Sequence, residues 1–184
     1  MADLVASARL RPLRRLEYER MAAEGFFEDE RVELLDGVIV EMTPQGTRHA
    51  VAIERLSHLL FAAVGGRARV RIQLPFAASE VSLPEPDVAV VPVADYELAH
   101  PSQARLIIEV AESSLKKDRL VKARVYAIAG VTEYWVIDIA AKTIEVCSEP
   151  VGGAYTQIRA ARPGDVIRLR AFPDVEIAVA DIVR

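Results

Sequence analysis

Apolar and polar residues recur with two different periods along this chain, and the changes of period mark its elements. Leu13, Leu16 and Met21 fall at helical spacing among charged residues, which predicts a short amphipathic helix over 13–23. Residues 1–12 carry no period and are expected to be flexible. In RVELLDGVIVEM two short alternating runs flank Asp36-Gly37. Glycine accepts the positive φ of a primed turn, so this segment predicts a hairpin. His49, Ile53, Leu56, Leu60 and Val64 then follow at helical steps, one buried stripe of a helix that stops at Gly65-Gly66.

From Arg67 to Leu74 the period drops to two, with Arg67, Arg69, Arg71 and Gln73 on one face of a half-exposed strand. DVAVV, entered through Pro84 and Pro86, and RLIIEVA are short apolar runs. Ser113 to Gly130 reads as a loop and a helix. EYWVIDI and KTIEVCS predict two strands joined by a turn at Ala140-Ala141. Gly152-Gly153 and Pro163-Gly164-Asp165 mark further turns before AFPDVEIAVADIV. With no repeat and no long linker, the pattern predicts one domain over 1–184. Its class is mixed α and β, and strands apolar on both faces imply a covered sheet.

Composition narrows the classes. A chain of 184 residues with 52% hydrophobic positions can bury one real core. The net charge of −4 argues against a binder working through bulk positive charge. The single cysteine, Cys147, excludes a disulfide framework and a multi-thiolate zinc site, and reads as a small apolar residue. No run approaches the roughly 18 apolar residues that cross a bilayer. The arginines near the N-terminus follow the short apolar part, the wrong order for a secretion signal, so no membrane partner and a cytoplasmic location are expected.

The candidate chemistry lies in carboxylates set among apolar neighbours. Asp87 opens an apolar strand, and Glu109 sits inside RLIIEVA on the face of Ile107 and Ala111. A buried carboxylate needs a partner, a proton or a cation. If their strands are neighbours, about 4.8 Å apart, the pair suits Mg²⁺ or Mn²⁺ with oxygen ligands. The alternative is an arginine partner from Arg67, Arg69 or Arg71. Asp118, Lys122 and Tyr126 share a helical face, whose plain reading is a surface ion pair. Glu33 sits near the hairpin and reads equally as a solvated edge residue. His49 heads its stripe, where a core histidine is the plain alternative. Asp138 reads as a local turn acceptor, Glu133 as facing solvent and Asp174 as outside the site.

In order, ELLDGVIVEMTP, RHAVAIERL, PEPDVAVV, LIIEVAESS, DRLVKARVYAIAG and VTEYWVID resemble the Uma-type family of restriction endonuclease-like proteins, a domain of unknown function. The resemblance runs from about Leu16 to Ile182 and is similar to a branch of the PD-(D/E)xK nuclease superfamily. It implies a restriction-endonuclease-like core, a mixed central sheet flanked by helices, with extra hairpins here. It implies Asp87 as the first acid, Glu109 as the second, an accessory acid at Glu33 and Lys122 as the active-site lysine. The superfamily lysine stands two residues after the second acid. That place is Ala111 here, so the ammonium is expected from the following helix.

The function expected from the resemblance is a Mg²⁺-dependent (or Mn²⁺-dependent) endonuclease hydrolysing phosphodiester bonds in DNA. Asp87, Glu109 and the carbonyl of Val110 would hold the ion, and Glu33 would bind a second ion or anchor Lys122. His49 and Gln73 are weaker candidates for substrate contact. Arg67, Arg69 and Arg71, and a second cluster of Lys116, Lys117, Arg119 and Arg124, are candidates to follow phosphates. A homodimer is expected, with Tyr134 and Trp135 either at its surface or in the core. The competing expectation is a nucleic-acid-binding or assembly module on the same fold, without turnover.

Overall fold

In chain order the elements are α1 (Arg15–Ala23), β1 (Val32–Leu35), β2 (Val38–Glu41), α2 (Thr47–Val64), β3 (Arg69–Ile72), β4 (Val88–Val91) and β5 (Leu106–Ala111). There follow α3 (Leu115–Lys117), a π-helical turn (Asp118–Lys122), α4 (Ala123–Ile128), β6 (Glu133–Asp138), β7 (Thr143–Val151), β8 (Ala154–Ala161), β9 (Val166–Arg168), β10 (Glu176–Ala178) and α5 (Val179–Ile182). They come from a computed structural model that describes residues 11–184, so the expected flexible segment lies almost wholly outside the described residues.

Strands β3 to β8 form one sheet in sequence order. Every neighbouring pair is antiparallel except β5 and β6, which run parallel. A parallel pair needs a crossover, and the helical stretch α3 to α4 supplies it. The runs DVAVV, RLIIEVA and EYWVIDI become β4, β5 and β6, buried on both faces as their unbroken apolar character requires. Val88, Val90, Ile108 and Val110 pack toward α2, while Ala89, Ile107 and Ala111 pack with Tyr126 and Tyr134 on the α4 side. Glu109 shares this second face. The C-terminal hairpin β9–β10 and α5 close the α2-side core through Ile167, Ile177 and Ile182.

The β1–β2 hairpin turns at Asp36-Gly37, both with positive φ, as the pair predicts. β1 itself is buried throughout instead of alternating, because Tyr18 and Leu83 cover it and Leu34 pairs with Leu83. Glu33 therefore cannot be a solvated edge residue. Of the two readings of Tyr134 and Trp135, the core one holds: both are fully buried at the middle of the sheet and form no dimer surface. Two other expectations are corrected. Glu133 is 1% exposed, not solvent-facing, and accepts hydrogen bonds from Trp135 Nε1 (2.8 Å) and the Arg170 amide (2.8 Å). The Arg67 strand is shorter than its alternation suggests. It begins at Arg69 and ends where Gln73 turns into the left-handed region (φ 49°). Asp138 does accept a turn amide, from Ala141, and Cys147 is buried.

Candidate active site

Ladder pairs join Val88 to Ile108 and Ala89 to Ile107, so the next rung sets Asp87 across from Glu109. Directly opposed side chains on one face have Cβ atoms about 5 Å apart. Three donors hold Asp87. Its Oδ1 accepts from His49 Nε2 (3.0 Å) and Gln73 Nε2 (3.3 Å), and its Oδ2 from the Val110 amide (2.8 Å). His49 reaches it from the first turn of α2. Gln73 reaches it because its left-handed backbone ends β3 and swings the amide inward.

On Glu109 both donors fall on Oε1: Lys122 Nζ at 2.9 Å and the Tyr126 hydroxyl at 2.6 Å. Among the described residues no side chain donates to Oε2, although Glu109 lines the cleft. Lys122 is 3% exposed and also meets Glu33 Oε2 at 3.1 Å. Glu33, with no exposed surface, accepts from Lys117 Nζ (2.9 Å) and the Glu85 amide (3.3 Å). The π-helical turn presents Asp118 and Lys122 inward. The Ala123 amide reaches back five residues to the Asp118 carbonyl, and Asp118 takes a 2.5 Å bond from Ser114 Oγ. Single π turns of this kind are common at functional sites.

Four buried carboxylates, Glu33, Asp87, Glu109 and Asp118, thus face two lysines, Lys122 and the half-buried Lys117. With all four carboxylates ionised and His49 neutral, the cluster would carry two negative charges in excess. The titration directions follow from this. Burial and the charges on Asp87, Asp118 and Glu33 push the Glu109 carboxyl well above its usual range, outweighing Lys122. Burial alone would lower the Lys122 ammonium, but Glu109, Glu33 and Asp118 outweigh it and raise it further. Burial opposes ionisation of Glu33 and Asp87 as well, yet the two lysines lower the first, and His49 with the Val110 amide lowers the second. Asp87 likewise outweighs burial at His49 and raises its imidazole.

One cleft therefore brings together Asp87, Glu109, Val110, Lys122 and His49, with Glu33 bonded behind Lys122 and Gln73 bonded to Asp87. Among the described residues Glu109 has no arginine partner, and Asp118 and Lys122 are buried and do not form a surface pair. Arg67 pairs with Asp174 and lies over Phe172, and Arg69 and Arg71 lie over Tyr96. Of the second basic cluster, Lys117 holds Glu33, Arg119 holds Glu145 and Arg124 holds Asp36. The places of Lys117 and Asp118 in the cluster were not legible, since the run LKKDRLVK reads as a solvated helix. Tyr126 shares the expected face with Lys122, but nothing in the spacing marks its bond to Glu109.

Among the described residues no three His, Cys, Asp or Glu side chains form a ready metal cage. Two opposed carboxylates, one with an unpartnered oxygen, and a neighbouring main-chain carbonyl are a donor set of another kind. It suits Mg²⁺, which keeps several waters and binds through one or two carboxylates plus substrate phosphate. The residues fit that ion.

The sequence model of the Uma2 family, described as "Putative restriction endonuclease", matches residues 16–180. A comparison with curated proteins finds no match. A solved structure with a similar fold is the crystal structure of a "putative nuclease belonging to DUF820" from Anabaena variabilis. The similarity has a TM-score of 0.74 at 16% identity and covers 93% of this chain and 97% of that one. At that identity the likeness bears on fold, and the fold is that of a mixed-sheet, nuclease-like domain. No helix among the described residues is long and apolar enough to cross a membrane.

Proposed function

Because the chain belongs to the Uma2 family, we propose that it is a nuclease hydrolysing phosphodiester bonds in DNA, with Mg²⁺ or Mn²⁺ held by Asp87, Glu109 and the Val110 carbonyl. The observation that carries this reading is the Asp87–Glu109 pair with Lys122 bridging Glu109 and Glu33, in a cluster of four carboxylates and two lysines that is left short of positive charge. A bound divalent cation supplies that charge, polarises a phosphoryl oxygen and lowers the pKa of a water.

The chain's own residues do the rest. Lys122 remains a cation and offers its charge where negative charge develops on the phosphoryl group, so its part is electrostatic and not that of a general base. Glu33, itself held by Lys117, and Glu109 fix Lys122, so Glu33 serves as its anchor. Tyr126 fixes one oxygen of Glu109 and leaves the other to the cleft. His49 from the cleft wall and Gln73 from the end of β3 orient Asp87, and His49 is the one of the two placed to reach a bound phosphate. Cutting both strands of a duplex calls for two such sites, so a cytoplasmic homodimer is the form proposed.

The test is cleavage of supercoiled and linear DNA in Mg²⁺, Mn²⁺ or EDTA by wild type and by folded Asp87→Ala. Metal-dependent cutting that vanishes in the variant is the expected result. Binding of DNA without cutting under every condition supports the non-catalytic module instead.

A further inference from the structure

Several cations around the cleft are already neutralised, and four that have no ion pair among the described residues converge in one place. Arg48, Arg55, Lys142 and Arg184 line a groove between the N-terminal half of α2, the β6–β7 turn and the end of the described chain. None of the four is in a salt bridge among the described residues, and no acidic side chain lines the groove. Arg55 gives one donor to the Ile182 carbonyl (3.1 Å) and keeps its charge unmatched.

The groove adjoins the candidate active site through consecutive residues. Gly46 and His49 line the cleft, while Thr47 and Arg48 between them line the groove. On the sheet side, the Ile139 amide bonds the Ala111 carbonyl (3.2 Å), tying the groove floor to the end of the strand that carries Glu109.

Lys142 adds a second kind of observation. Its backbone is left-handed (φ 51°), a conformation in which glycine carries no steric penalty and lysine does. The turn needs no side chain there, so what lysine adds is its charge over the groove. On a protein of net charge −4, a polyanion is repelled overall and must be met by a local cluster of unmatched cations.

We propose that this groove carries the phosphodiester backbone of the nucleic acid away from the scissile bond, an inference that rests on the nuclease reading and assigns the substrate its path. Arg48 and Lys142 contact phosphates on the two walls, and Arg55 lies between them. Such contacts read charge and spacing, not bases, so the groove fixes register without specifying sequence.

The test is binding of short labelled duplex DNA, single-stranded DNA and RNA in Ca²⁺, over about 50 to 200 mM salt, alongside the Mg²⁺ cleavage assay. For the substrate that wild type binds, Arg48→Ala/Lys142→Gly is expected to bind roughly 10- to 100-fold more weakly at the low end of that range. The slope of log K against log salt should become shallower by about two. Arg162→Ala, which removes an exposed arginine with no ion pair among the described residues from the β8–β9 turn, should bind as wild type does. Lys142→Gly alone should melt higher than wild type while binding more weakly, a combination that loss of folding cannot produce. Unchanged affinity and slope in the double variant, with wild type still cutting, overturns the groove and leaves the nuclease standing. Absence of both binding and cutting by wild type overturns the nuclease reading and the groove with it.

Discussion

Two glutamates in neighbouring strands are both buried and differ in what surrounds them. Glu133 in β6, 1% exposed, accepts one N–H from Trp135 and one from the Arg170 backbone, forms no ion pair among the described residues and does not line the candidate active-site cleft. Glu109 in β5, 3% exposed, takes its donors from Lys122 and Tyr126, stands opposite Asp87 and opens an unpartnered oxygen to the cleft. Both carboxyls are raised, in each case first by burial. At Glu133 two neutral donors, helped by the charges of Arg170 and Arg159, partly offset burial, and they staple the C-terminal segment to the sheet. At Glu109 three further carboxylates add to it. Burial of an acid therefore does not make a site; an excess of like charge facing an opening does.

The sharpest way to break this comparison is to make one substitution at both places. Glu109→Gln should cut nuclease activity by about 10³-fold or more, since it removes a charge that holds the cation, worth several kcal/mol in the transition state. A plasmid-nicking time course measures it.

Next comes Lys122→Met. Leaving Glu109 and Glu33 without their shared ammonium should cost about 3–5 kcal/mol of stability, read from urea unfolding. Lys122 and Lys117 hold the Glu33 carboxyl below its ordinary value. Its contribution is thus present above the ordinary carboxylate pKa and lost as pH falls through the lowered one. The stability gap between wild type and variant should be widest near neutrality and should close in acid.

The smallest effect is expected at the other glutamate. Glu133→Gln loses one of two accepted hydrogen bonds and should cost about 1–3 kcal/mol while cleavage stays at the wild-type rate. A drop in cleavage without loss of stability would put Glu133 in the active site and erase the contrast.

The same two residues show what the sequence made legible. RLIIEVA declares burial on both sides of Glu109, so its need for a partner could be read directly. Glu133 opens its strand after Val131-Thr132, and only the tertiary packing of Trp135 and the Arg170 loop closes over it. The central strands, the Asp36-Gly37 hairpin and the α2 stripe follow from local periods, and the structure keeps them. The grouping of Asp87, Glu109 and Lys122 came from resemblance, because Ala111 occupies the place where strand spacing would put the lysine. The part played by Lys117 was not legible, since Glu33 lies 84 residues away in a hairpin strand. A charged run such as LKKDRLVK gives no local sign that a π turn folds half of it inward.

The most direct measurement is calorimetric titration of Mn²⁺ into the wild-type protein and into folded Asp87→Asn and Glu133→Gln. The expected result is one ion bound by wild type and Glu133→Gln and none by Asp87→Asn. Binding that survives in Asp87→Asn, or its absence from wild type, would contradict the claim that a divalent cation answers the excess charge of this cluster.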